Sequence, residues 1–394
     1  EWSLKALYAL GRIYEAAKNV SKARQYYLRI GRINPRHDLA SAAAWQAGWA
    51  EFEAGNYRKA REAFTSCRKK YPDSDVFTAT LYWEGRSDEK LKNPEEAQRI
   101  FQLLAQEHGW DFYGVMARKR LNSSWNFVPE PQRGDDPDCT DEGLPLGDPS
   151  LTFHLDRAEE LIQIGFSAEA KGEIDALAAL TGSGAEGACY IGKLYEKSSN
   201  FNDSVRWMYR VSLNHDGASL GEDLTLFKKY LYPLAYWKTV SKEAALYGLD
   251  PFLILAVMRQ ESLFEDDIVS PADARGLMQI IPSTGESIAQ RLGIETFIPE
   301  TLFEPETNVA FGSWYLHSLM ERSNGDLVRV LSSYNAGETR SDQWWDRTKD
   351  LDVDERIESI SFRETRGYVK KVLRNLENYN RLYGRLRQES SRAE

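Results

Sequence analysis

Small and aromatic positions recur along the first third of the chain at a fixed spacing of 37 residues. Gly11, Gly48 and Gly85 obey it, as do Tyr8, Trp45 and Tyr82. Ala23, Ala60 and Ala97 keep the same interval, and so do Tyr27, Phe64 and Phe101. Pro35 and Pro72 close the first two units. Such a period predicts helix–turn–helix units whose paired helices approach closely through their small residues, with proline ending the second helix. The pattern breaks over Leu121 to Ser150, which holds five prolines, three glycines and the acidic run Asp135, Asp136, Asp138. That stretch reads as a loop, and its acidic run lacks the spacing of a calcium loop. Periodicity resumes at Leu151, and Gly192, Ser204 and Met208 repeat the internal spacing of the first units. More stacked helices are expected there, ending near Lys229.

Tyr232 to Tyr383 reads as helix throughout. Asp250 followed by Pro251 is a helix start, a capping oxygen and then a ring suited to the first turn. The seven residues Phe252 to Met258 are all apolar, so this helix is expected to be buried on most sides. Pro282 to Glu286 offers a capping box and Gly293 a stop. Another helix begins at Pro305 and runs to about Arg322, and a short one follows Asp326 and ends at Asn335-Ala336-Gly337. Ser361 with Glu364 opens a last helix to about Tyr383. With no strand or hairpin pattern, the predicted class is all-α: superhelical repeats followed by a predominantly helical domain. The expected division is 1–120 repeats, 121–150 loop, 151–231 further superhelical helices, 232–385 a second domain, and 386–394 a polar tail.

Composition narrows the function. The chain has 394 residues, 42% hydrophobic and 28% charged, an ordinary globular balance. A net charge of −10 argues against nucleic acid as a partner, because phosphate binding needs a basic surface. The seven-residue apolar run is too short to cross a bilayer. Glu1 lies within a helical pattern, so the chain reads as a mature or truncated piece lacking its targeting segment. Cys67, Cys139 and Cys189 allow at most one bridge, and five scattered histidines suggest no metal cluster. Gly182 to Gly187 fits a dinucleotide fingerprint and Gly217 to Gly221 a nucleophile elbow, but no strand leads into either, so both read as helix–helix turns.

One carboxylate stands out. Glu261 follows the apolar run within the same helix and shares a face with Val257 and Met258. A carboxyl on an apolar face, near the negative end of a helix dipole, holds its proton unusually well. A general acid needs that environment.

The repeat resembles the tetratricopeptide repeat, with a few residues added between units. The second domain carries a longer signature. Glu261-Ser262, Ser270-Pro271, Gly276-Leu277-Met278-Gln279-Ile280 and Pro305-Glu306-Thr307-Asn308 come first. Ser333-Tyr334-Asn335-Ala336-Gly337, Glu358-Ser359-Ile360 and Glu364-Thr365-Arg366-Gly367-Tyr368-Val369 come after them. In that order they resemble the soluble lytic transglycosylases, bacterial enzymes that cut peptidoglycan glycan strands on a goose-type lysozyme fold behind an α-superhelix. The resemblance implies a periplasmic enzyme with Glu261 as its single catalytic residue, first acid and then base, and with no metal or organic cofactor. It implies substrate contacts from Ser270, Met278, Gln279, Tyr334, Asn335, Glu364 and Tyr368. On the residues alone all but Gln279 have a plainer account: a turn for Ser270, core for Met278, packing for Tyr334 and Tyr368, helix ends for Asn335 and Glu364. Trp344-Trp345 offers a stacking platform or simple packing. Asp273 stands where many members carry glycine; pointed at the cleft it would serve as a base for water, and Asp266 and Asp267 raise the same question. The competing readings are a lysozyme-like hydrolase on the same fold, and a repeat scaffold for protein partners bearing an inactive glycan-binding domain.

Overall fold

The computed structural model describes residues 2–122, 144, 148–181, 185–214 and 224–390. These residues form α-helices, one 3-10 turn and no sheet. The chain divides into two compact units, Glu1–Phe127 and Val128–Glu394. The expected 121–150 loop, both glycine-rich turns and residues 391–394 lie wholly or mostly outside the described residues.

The first unit contains α1 (Trp2–Ala16), α2 (Val20–Ile33), α3 (Asp38–Glu53), α4 (Tyr57–Lys70), α5 (Phe77–Lys90), α6 (Pro94–Glu107) and α7 (Phe112–Leu121). The 37-residue period has a direct steric meaning. A Cβ added to Gly11 would sit 2.4 Å from the Tyr27 ring, one on Gly48 2.6 Å from Phe64, and one on Gly85 2.9 Å from Phe101. Each pair brings the first helix of a unit against the second at a distance that only glycine permits. Tyr27 and Phe64 are fully buried and Phe101 nearly so, so the rings have little room to yield. Neighbouring units share charge as well: Arg61 and Arg68 on α4 pair with the buried Asp88 and Glu84 on α5. Gly48→Ala gains about 1 kcal/mol of helix propensity but overpacks a rigid contact at about 1–3 kcal/mol. A lower denaturation midpoint is therefore expected, and a higher one would refute the steric account.

The second unit begins with α8 (Pro149–Gln163), α9 (Ser167–Thr181), α10 (Ala185–Lys197), α11 (Phe201–Asn214) and α12 (Leu224–Leu231). The repeat spacing holds here too: a Cβ on Gly192 would meet Met208 Sδ at 2.8 Å, and Ser204 Oγ donates to the Gly192 carbonyl at 3.0 Å. Then come α13 (Trp237–Tyr247), α14 (Pro251–Glu261), α15 (Pro282–Arg291), a 3-10 turn (Pro299–Phe303), α16 (Pro305–Arg322), α17 (Leu327–Ala336), α18 (Glu338–Thr348), α19 (Val353–Glu358) and α20 (Arg363–Ser390).

Helix α14 is the axis of this region. Asp250 Oδ1 accepts from the Phe252 N–H at 3.0 Å, and Phe252 to Met258 are each at most 1% exposed. Burial at that level contributes roughly 1.5–3 kcal/mol for each large side chain. Helix α20 lies along α14, with Phe252 stacked on Tyr379 and Asn375 donating to the Ala256 carbonyl. Arg259 ties α14 to both neighbours: it donates to the Leu231 carbonyl at the end of α12 and reaches Asn375 on α20.

Three local expectations need correction. The N-cap of α15 is Ile281, whose side chain cannot accept, so the Ser283-based capping box does not form; Pro282 alone starts the helix. Helix α20 opens with Arg366 N–H bonded to the Phe362 carbonyl, one residue later than a cap at Ser361 requires. It also continues past Tyr383 to Ser390, through most of the expected polar tail. Finally, two isolated antiparallel bridges, Val269 with Arg275 and Arg275 with Ile280, interrupt the helical pattern between α14 and α15.

Candidate active site

Glu261 is the last residue of α14 and is half-buried. Ser262 turns the chain out of the helix, and Leu263 and Phe264 adopt left-handed φ values of 53° and 68°. Ser262 Oγ accepts from the Phe264 N–H at 3.0 Å and donates to the Leu277 carbonyl at 2.8 Å. One buried hydroxyl thus ends the helix and pins the far end of the loop beside Glu261.

The loop itself is tightly bonded. Arg275 and Ile280 exchange backbone hydrogen bonds, and the Gly276 N–H reaches the Ile268 carbonyl. Asn308 on α16, fully buried, braces it from below. Its Oδ1 accepts from Met278 N at 2.7 Å, and its Nδ2 donates to the carbonyls of Arg275 and Leu302 at 2.8 and 2.6 Å. Gly276 (φ 71°) has no room for a side chain, since a Cβ would fall 2.2 Å from the Leu302 carbonyl oxygen.

Two tyrosines approach Glu261. Tyr368 comes from α20; its hydroxyl is buried, turned toward the carboxyl and short of a direct hydrogen bond with any group. Tyr334 comes from α17 and donates to the Met278 carbonyl at 2.8 Å. Burial pushes the Glu261 carboxyl from its ordinary 4.5 up to about 7, and the Tyr368 hydroxyl pulls it partly back. Burial, and next to it the charge of Glu261, in turn holds the proton on both phenols.

The remaining candidates fall in different places. Ser270 Oγ accepts from the Ala272 and Ala274 N–H groups, shaping its own turn. Met278 is fully buried, with Sδ against Gly312, the core position that its residue type alone implies. Gln279 (φ 52°) is half-buried and donates to the Ile268 and Gly276 carbonyls. Asn335 is half-buried at the end of α17, and Glu364 is exposed in the first turn of α20. Trp344 meets Phe362 edge-on, and Trp345 lies beneath the guanidinium groups of Arg329 and Arg356. Both indoles therefore have packing partners.

Asp273 is exposed, adopts φ 59° and pairs with Arg275 at 3.0 Å; Arg275 also reaches Glu300. The left-handed backbone accounts for a residue type that tolerates it, and the ion pair occupies its carboxylate. Asp266 accepts from the Tyr236 hydroxyl. Asn308, Ser262 and Gly276 stand in the motifs quoted above without a role of their own, and Gly312 stands outside them; all four are structural supports. Besides its place in the Pro305 to Asn308 motif, the signal for Asn308 is a polar residue four positions into an otherwise apolar helical face.

An all-helical domain whose site sets a proton-retaining carboxyl at a helix end, walled by a braced loop and two phenols, is the class that fold and site define. The relatives agree. Residues 238–357 match the transglycosylase SLT domain, 359–388 the soluble lytic transglycosylase helical domain, and 5–37 and 42–74 the tetratricopeptide repeat. Over these residues the chain is similar to the soluble lytic transglycosylases. It is 35% identical over 144 residues to the soluble lytic murein transglycosylase of Salmonella typhimurium, covering 36% of this chain and 22% of that protein. It is 26% identical over 300 residues to the Escherichia coli K12 protein of the same name, covering 74% and 42%. The chain thus spans less than half the length of these relatives. Lytic transglycosylase Slt of Pseudomonas aeruginosa, solved as an inactive glutamate-to-glutamine mutant, superposes with a TM-score of 0.70 at 25% identity, covering 96% of this chain and 58% of that one. The 70 kDa soluble lytic transglycosylase of Escherichia coli shares the fold at 20% identity and a TM-score of 0.62, covering 93% and 61%. No helix among the described residues is long and apolar enough to cross a membrane.

Proposed function

We propose that this chain is a peptidoglycan lytic transglycosylase, cleaving the β-1,4 bond between N-acetylmuramic acid and N-acetylglucosamine and leaving a 1,6-anhydromuramic acid end. The observation that carries the reading is Glu261, protonated near neutrality at the rim of a buried helix, with Asp273 engaged by Arg275 and exposed. Protonated Glu261 gives its proton to the glycosidic oxygen as the bond to C1 of the muramic sugar breaks. The resulting carboxylate then takes the proton of that sugar's C6 hydroxyl, whose oxygen closes on C1. The proton balance closes on one residue and no water is consumed.

Retaining glycosidases place a second carboxylate about 5 Å away as nucleophile. Here the hydroxyl of the substrate takes that part, helped by effective molarities on the order of 10⁵ M or more for well-oriented intramolecular attack. The scheme needs no metal or organic cofactor. Gln279, Asn335 and Glu364 are the proposed glycan contacts, while Ser270, Met278, Tyr334 and Tyr368 shape the wall they stand on. The catalytic domain is assigned to 232–385, with the repeat helices confining the glycan and offering a surface to protein partners. Cys189 is disulfide-bonded, which supports an oxidising compartment such as the periplasm.

Mass spectrometry of digested sacculi tests the reaction. Muropeptides with anhydro ends, lighter by one water than reducing ends, are expected; reducing ends would mean hydrolysis instead. The pH dependence has a definite sign. The first step needs the protonated acid, so turnover should fall as pH rises through about 7. A profile still rising at pH 9 would remove Glu261 from the acid's role.

A further inference from the structure

Glu358 is a buried carboxylate that the reaction does not use. It sits at the end of α19, 3% exposed, between two cations of α20. Lys370 Nζ is 2.7 Å from its Oε1, and Arg366 Nε is 3.8 Å from its Oε2. Arg366 reinforces the same junction through Nη1, which donates to the Ile360 carbonyl at 2.8 Å and reaches that of Glu358 at 3.4 Å.

Helical geometry gives this clamp a direction. Arg366 and Lys370 are four residues apart and share one face of α20. Tyr368 lies between them in sequence, roughly 160° round the helix from each. Whatever grips Arg366 and Lys370 therefore sets how the opposite face, with Tyr368, is turned toward the end of α14. Further along, α20 is held to α14 by Asn375 and Tyr379, but those contacts lie about two to three turns beyond the tyrosine.

A buried carboxylate costs several kcal/mol unless it is paired, so its retention at this junction calls for a return. We propose that Glu358 is a positioning residue of the active site: by clamping Arg366 and Lys370 it fixes the rotation of α20 that aims the Tyr368 hydroxyl at Glu261. The Tyr368 hydroxyl, buried and without a hydrogen-bond partner of its own, is then held ready to donate to the carboxylate formed after the first proton transfer. This rests on the proposed reaction for its purpose, but the geometry can be tested without it.

Glu261 is faced by Tyr368 from α20 and Tyr334 from α17, and Tyr368 is the group that lowers its proton affinity. The titration of the Glu261 carboxyl, followed by NMR of glutamate side-chain carbons with Glu261→Gln as the assignment control, reads the aim of Tyr368 directly. Tyr368→Phe should move that titration upward. Glu358→Gln should move it upward by the same amount, and the double variant no further. On sacculi, Glu358→Gln should lose about tenfold in kcat with KM nearly unchanged, the signature of a misplaced group rather than lost binding. Should the single variant fail to fold, Glu358→Gln with Lys370→Met removes the carboxylate and its nearest cation together and carries the same expectation.

A Glu261 titration left unmoved by the Glu358 change, or a shift additive with that of Tyr368→Phe, would overturn the positioning role. Retained activity in Glu261→Gln would overturn the reaction instead. The two failures are distinct.

Discussion

Glu261→Gln is expected to abolish glycan release while making the protein more stable in alkaline buffer. The first effect stems from the loss of a group that must give and then recover a proton; a drop of at least about 10³-fold is expected, within the range for general acid catalysis. The second stems from the same burial. In the unfolded chain the carboxyl ionises near its ordinary 4.5, and in the folded protein near 7. Between those values the unfolded state binds fewer protons, so stability falls as pH rises through that window and stays low above it. The shift corresponds to about 3 kcal/mol above pH 7 and nothing below pH 4. Glutamine carries no such dependence. Urea unfolding of both proteins at pH 4 and pH 8 should therefore show an advantage of the variant that grows by up to about 3 kcal/mol between the two. An equal difference at both values would mean that Glu261 is not held protonated by the fold.

Asn308→Leu should be among the most destabilising single changes in the second unit. The leucine keeps most of the volume but leaves Met278 N and the Arg275 and Leu302 carbonyls without their bonds. An unsatisfied buried backbone group costs about 1–3 kcal/mol, so a loss of about 4 kcal/mol is expected after partial relaxation. The consequence reaches the site, because these bonds hold the loop to which Ser262 and Tyr334 are also fastened. Activity should fall further than the folded fraction measured by circular dichroism. A variant with wild-type turnover would show that the loop keeps its shape without this brace.

The helices and the buried carboxyl at the end of α14 were legible in the sequence because their signals are local or periodic. A 37-residue period, a capping aspartate before proline and seven apolar residues depend on spacing along the chain. Glu261 could be singled out because a carboxyl directly after such a run is exceptional on local grounds. The brace and the aiming device were not legible, since each joins elements whose meeting no local pattern announces. Asn308 meets a residue 30 positions upstream, and Glu358 grips a helix it precedes. Met278 reads as core from its residue type alone, and its burial against Gly312 agrees with that account. The caps of α15 and α20 were misplaced because serine and glutamate at the right interval satisfy a pattern whose geometry the backbone had already supplied otherwise.

The wall beside Glu261 takes its shape from backbone handedness at Leu263, Phe264, Asp273, Gly276 and Gln279. All five turn the left-handed way, and four of them bear a side chain. Such a loop separates its form from its surface chemistry. Where a fold is written in φ angles and buried bonds, the outward side chains between the fixed points are free to drift. New preferences among glycan or peptide decorations can then arise by exchanging exposed residues such as Ala272, without re-solving the problem of where the acid stands. Those fixed points mark the limit of that freedom. A β-branched residue at any of the left-handed positions would cost more than a change of decoration could return.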